Sequence, residues 1–186
     1  MKRFIDLLFS LLLIPILFFP LVLIILAIKM TSSGPIIYWS TRIGIDNITF
    51  EMPKFRTMVN DTPALATHLL EDPEKYYTSI GKFLRKFSLD ELPQLWSIIK
   101  GDMSFIGPRP ALFNQVDLVQ LRTERGIHKL KPGITGWAQV NGRDELSILE
   151  KVNLEEEYLK NMSYKKNIYI LWLTVIKVLS KSNVSH

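Results

Sequence analysis

Apolar residues are concentrated at the start of the chain, where positions 7 to 28 form a run of 22 residues. Only Ser10, Pro15 and Pro20 interrupt this run. As one straight helix it would be about 33 Å long, which is enough to cross the hydrocarbon core of a bilayer. The pattern predicts a membrane segment over residues 1–30 and a cytosolic, membrane-associated domain over residues 31–186.

The apolar run has three competing interpretations. A cleaved signal peptide would suit Lys2 and Arg3, but the run is long and the following KMTSSGP carries no clear cleavage pattern. A simple spanning helix tolerates prolines where neighbouring helices satisfy the freed carbonyls. A re-entrant helix-break-helix would use Pro15 and Pro20 as its bend and leave by the face it entered. Basic residues at both ends, with Lys29 at the second, favour this form because such residues stay in the cytosol.

The hydrophobic pattern after residue 34 predicts short elements. β-Branched and aromatic residues at positions 35–52 flank a turn at residues 44–47, which indicates a β-hairpin. A helix over residues 93–100 should end at Gly101, since glycine is typical of helix C-terminal caps. The other predicted segments are a helix and loop broken by prolines over 61–80, an amphipathic helix within 106–125, an irregular turn segment over 131–143 and an acidic helix over 144–159.

The last apolar stretch, residues 165–181, has lysines near both ends. It is either a core helix or an interfacial helix whose lysines meet anionic lipid. The 12 residues 168–179 are too short to span a bilayer. Together these elements predict an α+β fold, mostly α, in a monotopic membrane protein. Its parts would be the re-entrant helix-break-helix, a small β-hairpin and interfacial amphipathic helices.

The composition points to the chemistry of the partners. The 23 basic and 18 acidic residues give a formal charge of +5, which favours lipid headgroups, phosphates or nucleotides. Aromatic residues are sparse among the basic ones, and we therefore expect no nucleic-acid partner. The chain has no cysteine, which excludes disulfides and thiolate metal sites.

The stretch SLDELPQLW, residues 88–96, carries the main candidate chemistry. In one interpretation Ser88 and Glu91 form a capping box, and the acidic residues only suit a helix start. Pro93 would then lie inside that helix without an N–H to donate, so a start nearer Pro93 is easier. Asp90 and Glu91 would then lie just outside the helix, exposed, held by neighbours and able to face a ligand. Because adjacent carboxylates repel, we expect Mg²⁺ bound by Asp90 and Glu91 together with substrate phosphates.

Four basic side chains are candidates for binding substrate phosphate: Arg109, Arg85, Lys54 and Arg56. For each, the default is a solvated surface charge. Arg109 differs because prolines on both sides fix its backbone and preorganise the guanidinium. A carboxylate pair beside arginines favours phosphoryl transfer over glycoside cleavage, whose two carboxylates stand across the scissile bond. The sequence contains no P-loop and no G-x-G-x-x-G, and its three histidines lack metal-ligand spacing.

Four motifs follow one another behind the apolar N-terminus: KFRTM (54–58), LRKFSLDELPQLW (84–96), KGDMSFIGPRP (100–110) and KPGITGWAQVNGR (131–143). In this ordered set the chain resembles the bacterial sugar transferase family, the monotopic phosphoglycosyl transferases, in their minimal short form. The likeness covers about residues 2–160. The chain departs from the family at two points. Members often have Ser-Pro at the membrane break, where this chain has Phe19-Pro20, and an aromatic residue where it has Pro53.

The resemblance implies an enzyme at the cytoplasmic face of the bacterial inner membrane. Such an enzyme transfers a sugar 1-phosphate from a UDP-sugar, here an N-acetylated hexosamine, to undecaprenyl phosphate and releases UMP. This is the first membrane step in building a surface glycan such as capsule or O-antigen. By likeness, Asp90 would be the nucleophile of a phosphosugar-aspartyl intermediate, and Glu91 would bind Mg²⁺ or deprotonate the lipid phosphate. Arg109 would hold phosphate, with Lys54 and Arg85 as helpers.

Two alternatives from other classes stay open. A non-catalytic module could use its basic face to hold anionic lipid, and its function would survive Asp90→Asn. A metal-dependent phosphatase or pyrophosphatase acting on the same lipids would release inorganic phosphate without transferring sugar. The residues carry no signal for the oligomeric state.

Overall fold

The computed structural model describes residues 2–60, 62–63, 72–142 and 145–179. Of the helix and loop predicted for residues 61–80, residues 61 and 64–71 lie outside the described residues, and the described remainder includes a 3-10 turn at Pro73–Tyr76. Helices and strands follow one another in this order: α1 Lys2–Thr31, β1 Ile37–Ile43, β2 Thr49–Phe55, α2 Gly81–Lys86, α3 Leu95–Lys100, β3 Ser104–Ile106, α4 Val116–Glu124, β4 Gly133–Thr135, α5 Trp137–Val140, α6 Ile148–Lys160 and α7 Tyr164–Leu179. The predicted mostly helical α+β fold is therefore confirmed.

The predicted β-hairpin is present, with β1 and β2 paired antiparallel so that Tyr38 faces Lys54. Its turn is a short 3-10 segment in which Asp46 and Asn47 take φ values of 52° and 61°. Asp and Asn tolerate this left-handed region better than other residues with a side chain. The turn chemistry visible in the sequence thus sets the register that places Lys54.

The prediction of an irregular segment over residues 131–143 is wrong. Gly133–Thr135 forms β4, which pairs in parallel with β3, and α5 follows at once. Glycines make this pairing feasible, because a Cβ on Gly107 would lie 2.2 Å from the carbonyl oxygen of Lys131 and one on Gly133 would lie 2.1 Å from the amide nitrogen of Gly107. Two strands of three residues each carry too weak an alternation to be recognised from sequence.

α1 is helical from Lys2 to Thr31 and passes through both Pro15 and Pro20. The predicted break into two separate helices is therefore not seen, since each proline removes one hydrogen bond without ending the helix. It is the one helix in the described ranges that is long and apolar enough to cross a membrane. Side chains around the prolines, such as Ile16 and Phe18, are about two-thirds exposed at 67% and 66%.

The N-terminal end of α1 contacts the rest of the chain around β3. The buried carboxylate of Asp6 accepts hydrogen bonds from the Ser104 hydroxyl at 3.1 Å and the Phe105 amide at 3.3 Å. The ring of Phe9 lies edge-on to that of Phe105, with centroids 6.3 Å apart. The two hydrogen bonds satisfy a buried polar side chain that would otherwise be costly in an apolar segment.

The C-terminal end of α1 also packs on the same domain. Ile24 and Ile28 form a buried cluster with Phe55 of β2 and Leu84 of α2. Arg56 ties the following residues down, because its guanidinium donates to the Ser32 hydroxyl and carbonyl and to the Ser33 carbonyl. Both ends of α1 are therefore docked, whereas its middle is exposed.

Helix α7 packs on β3 and β4, and Tyr158 of α6 shares a buried cluster with Ile106 of β3 and Ile170 of α7. α6 begins with a capping box in which the Ser147 hydroxyl accepts from the Glu150 amide and Glu150 reaches back to the Ser147 amide. α7 buries Ile170 against this core. It leaves an apolar row exposed to solvent: Tyr164, Ile168, Trp172 and Val175. α7 thus has features of both predicted forms, the core helix and the interfacial helix, because one face is buried in the core and an apolar face is exposed.

Gly107→Ala should lower the free energy of unfolding by about 3 kcal/mol, because backbone on both sides leaves no space for a methyl group. Gly126→Ala is the matched control: it has open space but a φ of +73°, so only about 1 kcal/mol of backbone strain is expected. Thermal unfolding of the detergent-solubilised variants measures the difference. Equal losses would show that the approach of β3 to β4 is not restrictive.

Candidate active site

The two adjacent carboxylates lie on a 3-10 turn, Leu89–Gln94, that runs directly into α3. We call this segment the acidic turn. Pro93 lies within it, and α3 begins at Leu95, so the prediction that the helix starts near Pro93 is confirmed. α3 ends, as predicted, at Gly101 in the left-handed conformation.

The residue before the acidic turn has an unusual backbone. Ser88 has φ 54° and ψ 23°, the left-handed region, and its side chain makes no capping hydrogen bond. The capping-box interpretation of Ser88 and Glu91 is therefore wrong, and the Glu91 amide instead donates to the Ser88 carbonyl at 3.2 Å. A non-glycine residue in this region is held by its surroundings at a cost in energy. Such strain directly before two buried carboxylates is typical of functional sites.

Two cations from distant segments meet on one oxygen of Glu91. The Lys54 ammonium lies 3.0 Å from Glu91 Oε1, and Nη2 of Arg109 lies 3.2 Å from the same atom. The three side chains are largely buried, with exposed fractions of 10% for Glu91, 15% for Lys54 and 28% for Arg109. The structure thus brings together three of the side chains that the sequence singled out as candidates.

The fold explains why these side chains meet. Lys54 is near the end of β2, on the strand whose residues contact the acidic turn. Arg109 follows β3, and the two prolines beside it restrict the backbone as expected. The amide of Ile43 in β1 donates to the Ala111 carbonyl at 3.0 Å, which fixes the segment carrying Arg109 to the hairpin.

The prediction that Asp90 and Glu91 are exposed is wrong, because the acidic turn packs against β2. Glu91 is 8% exposed, and the Asp90 carboxyl is buried, with 5% of the residue exposed. Burial raises its pKa, and the nearby charges of Lys54 and, more weakly, Arg85 and Arg109 oppose that rise, whereas Glu91 adds to it. Burial likewise lowers the pKa of the Lys54 ammonium, against the effect of the two carboxylates. The cations therefore offset part of the cost of keeping Asp90 ionised in a poorly solvated position, and burial remains the larger effect.

Arg85 lies next to this group. Its Nε donates to the Thr57 hydroxyl at 3.0 Å, and its guanidinium lies over the ring of Tyr77, 5.4 Å from the centroid. These contacts hold the charge where it acts on Asp90. Its predicted contact with substrate phosphate is compatible with this position and stays a prediction.

Arg56 occupies a different environment from the other candidates. It is 5% exposed, and besides the end of α1 it donates to Asn60 Oδ1 at 3.0 Å. Its guanidinium serves to fasten α1 to β2, and this position does not favour the predicted phosphate contact. The sequence KFR does not indicate which of its two basic residues, Lys54 or Arg56, faces the carboxylates.

A fourth cation, Arg42, was missed. Its Nε donates to the Ser40 hydroxyl at 2.9 Å. Its Nη1 donates to the Pro110 carbonyl at 3.1 Å and so binds the backbone next to Arg109. Burial, together with the charge of Arg109, lowers its pKa to about 10, while Glu91 opposes the shift. The signal available in the sequence was its position on β1, two residues after Ser40 and therefore on the same face of the strand.

The carboxylates of the acidic turn supply some of the oxygen ligands that Mg²⁺ requires. The described residues include no group of three or more His, Asp or Glu placed to hold a metal. The pair Asp90 and Glu91 fits the mode in which Mg²⁺ takes one or two carboxylates and completes its shell with substrate phosphates and water. The residues therefore fit a magnesium ion that arrives with a phosphorylated substrate.

The chain matches the family model described as "Bacterial sugar transferase" over residues 1–181. It belongs to the bacterial sugar transferase family. The predicted resemblance is thereby confirmed, and it extends beyond the four motifs to nearly the whole chain. The buried carboxylates, Lys54 and Arg109 described above all lie in the matched range.

Named relatives of this bacterial sugar transferase are similar along most of its length. An uncharacterized sugar transferase, EpsL, of Bacillus subtilis (strain 168) is 40% identical over 86% of this chain and 78% of its own. A UDP-glucose:undecaprenyl-phosphate glucose-1-phosphate transferase of Escherichia coli (strain K12) is 42% identical over 83% of this chain and 35% of its own. A UDP-N-acetylgalactosamine-undecaprenyl-phosphate N-acetylgalactosaminephosphotransferase of Aeromonas hydrophila is 35% identical, over 96% and 44%. The chain thus spans less than half the length of these two transferases.

The two carboxylates should differ in their effect on stability. Glu91→Gln leaves Lys54 and Arg109 without their charged partner and should cost about 3 kcal/mol. Asp90 has a raised pKa in the folded state, so its contribution to stability is full at low pH and is lost as the pH rises through that pKa. At pH 7.5, Asp90→Asn should therefore leave the melting temperature unchanged or raise it.

Thermal unfolding of both variants at pH 7.5 in one detergent measures this contrast. A variant at the strained position, Ser88→Gly, is expected to be at least as stable as the wild type, because glycine adopts its backbone conformation without strain. Equal destabilisation by Asp90→Asn and Glu91→Gln would contradict the assigned electrostatics.

Proposed function

We propose that this protein transfers a sugar 1-phosphate from a UDP-sugar to undecaprenyl phosphate and releases UMP, through a phosphosugar-aspartyl intermediate on Asp90. The observation that carries the proposal is the buried Asp90–Glu91 pair beneath converging cations. A pair of buried carboxylates opposes folding unless it is compensated, and such costly arrangements are typical of reactive sites. Two of the relatives, named as sugar-phosphate transferases acting on undecaprenyl phosphate, support the same reaction.

In the first half-reaction, a carboxylate oxygen of Asp90 attacks the phosphorus that bears the sugar. The new bond is an acyl phosphate, the bond to the bridging oxygen of the diphosphate breaks, and UMP leaves with that oxygen. The reaction needs Asp90 ionised, which Lys54 favours electrostatically. A covalent intermediate divides the transfer into two displacements at phosphorus, each easier than a direct reaction between the UDP-sugar and the lipid phosphate.

In the second half-reaction, an oxygen of the lipid phosphate attacks the same phosphorus, and Asp90 is released as a carboxylate. Glu91 is placed to orient the lipid phosphate or accept its proton, being adjacent to Asp90 and held by Lys54 and Arg109. Bound Mg²⁺, held by Asp90 or Glu91, would neutralise charge on the phosphate oxygens. Lys54, Arg109 and Arg85 would supply the same neutralisation from the protein.

The charge balance of the site suits an anionic diphosphate. Four cations act on the two carboxylates: Lys54, Arg85, Arg109 and Arg42. A site with more cations than carboxylates attracts a substrate that carries two or more negative charges. Arg42 would act chiefly by holding the Pro110 carbonyl and thereby the backbone of Arg109.

For the donor, we propose an N-acetylated UDP-hexosamine, as the family resemblance implies. The relatives are named for both glucose and N-acetylgalactosamine, so the uridine nucleotide and its diphosphate are the chemistry that their donors share. The product would serve as the first lipid-linked unit of a surface glycan such as capsule or O-antigen.

We further propose that α1 is re-entrant and that the site faces the cytoplasm at the inner membrane. In support, both ends of α1 contact the catalytic domain while the residues around Pro15 and Pro20 are exposed. An apolar arch that returns to the same face would bury these exposed residues in lipid. The exposed apolar row of α7 would lie at the interface.

The transfer predicts that UMP appears when purified protein, Mg²⁺, undecaprenyl phosphate and one accepted UDP-sugar are combined. A panel of UDP-N-acetylgalactosamine, UDP-N-acetylglucosamine, UDP-galactose and UDP-glucose identifies the donor by UMP release. Asp90→Asn should lower the rate by at least about a thousandfold, since the nucleophile is lost. Release of inorganic phosphate in place of UMP would instead favour a phosphatase, and full activity of Asp90→Asn would contradict the mechanism.

Re-entrant topology predicts that both ends of α1 are accessible from the cytosol. The chain has no cysteine, so single substitutions Phe4→Cys and Met30→Cys, at positions 70% and 84% exposed, can be labelled selectively. A membrane-impermeant maleimide should modify both in inverted membrane vesicles and neither in intact spheroplasts. Labelling of one site from each side would show that α1 spans the membrane.

A further inference from the structure

The N-terminus of α1 is bonded to the far end of the helix that follows the acidic turn. The guanidinium of Arg3 donates to the Ile98 carbonyl through Nη1 and to the Ile99 carbonyl through Nη2, the latter at 2.6 Å. These carbonyls belong to the last turn of α3, where no following amides complete the helical pattern. A cation at this position also interacts favourably with the negative end of the helix dipole.

A second cation supports the same end of α3. The Lys131 ammonium donates to the Gly101 carbonyl at 2.6 Å, directly after the helix. Within the turn, the amides of Gly101, Asp102 and Met103 all donate to the Ser97 carbonyl, at 3.0, 3.0 and 3.1 Å. The last turn of α3 is thus a junction between α1, β3 and the segment before β4.

α3 has only six residues, and it continues the acidic turn without a break. A displacement of its C-terminal end is therefore transmitted to Asp90 and Glu91 at its other end. The residues that flank the carboxylates are held from the opposite direction, because Leu89 and Leu92 pack against the cluster containing Ile24 and Ile28. The two ends of α1 therefore hold the two ends of residues 89–100.

We propose that Arg3 is a positioning residue for the reaction: by binding the last carbonyls of α3, it fixes the acidic turn relative to Lys54 and Arg109. The packing of α1 on the domain then also fixes the position of Asp90 and Glu91. For its kinetic consequence the inference rests on the proposed transferase function, whereas its structural consequence is independent of it.

Arg3→Gln tests the proposal, with Arg3→Lys as the conservative variant and Lys29→Gln as the control. Lys29 lies at the other end of α1 and is exposed, so its substitution removes the same charge from the membrane-facing helix without removing bonds to α3. All variants are compared as full-length protein in the same detergent, after their membrane association has been measured. Lys131→Gln acts on the neighbouring carbonyl and replaces Arg3→Gln if the latter does not accumulate.

The first readout is amide hydrogen exchange, which needs no substrate. Arg3→Gln should speed exchange of the amides in residues 95–103 by about tenfold, while α6 serves as the unchanged reference. Lys29→Gln should leave both segments as in the wild type. Unchanged exchange in residues 95–103 on loss of Arg3 would overturn the proposal, whatever the enzyme's activity.

The second readout is the kinetics with whichever UDP-sugar the wild type converts to UMP. Arg3→Gln should lower kcat about tenfold with KM for the donor changed by less than about twofold, and Arg3→Lys should recover part of kcat. An equal loss in Lys29→Gln would show an effect of membrane charge and contradict the proposal. Wild-type protein inactive with every donor would refute the proposed function but leave the exchange result as the test of Arg3.

Discussion

The ion cluster on Glu91 is the interaction on which the rest of the site depends. One carboxylate joins β2 through Lys54, the acidic turn through its own backbone, and the segment after β3 through Arg109. These three segments are separate in sequence, and the cluster joins them through side chains in addition to the backbone bond from Ile43 to Ala111. Each of these largely buried side chains has a charged partner, and loss of one partner would leave an unpaired charge, so folding and assembly of the site are coupled.

α1 is as much a part of this arrangement as the domain it precedes. Asp6, near its start, is satisfied by β3, and Ile28, near its end, is fully buried behind the acidic turn. Removing the helix would expose an apolar cluster and leave the last carbonyls of α3 without Arg3. The apolar segment thus completes the core of the domain, in addition to its proposed place in the membrane.

Much of this could be predicted from sequence where the signal is local. The hairpin followed from β-branched and aromatic residues on both sides of a turn at residues 44–47, the end of α3 from Gly101, and the candidate carboxylate pair from its own composition. Pairing of β3 with β4 could not be predicted, because three-residue strands held by glycine contacts leave no periodic pattern. The role of Arg42, and the binding of Arg56 to the end of α1, depend on tertiary contacts. The pattern Ser-x-x-Glu occurs at both Ser88 and Ser147, but only Ser147 forms a capping box.

We propose that Asp90 becomes covalently attached to the sugar phosphate. The most direct measurement is mass spectrometry of the protein quenched in acid after incubation with an accepted UDP-sugar in the absence of undecaprenyl phosphate. We expect added mass equal to the sugar 1-phosphate less one water, located on the peptide that contains Asp90 and removed when the lipid phosphate is supplied. UMP release that requires the lipid and leaves no modified protein would contradict it and indicate direct transfer between the two substrates.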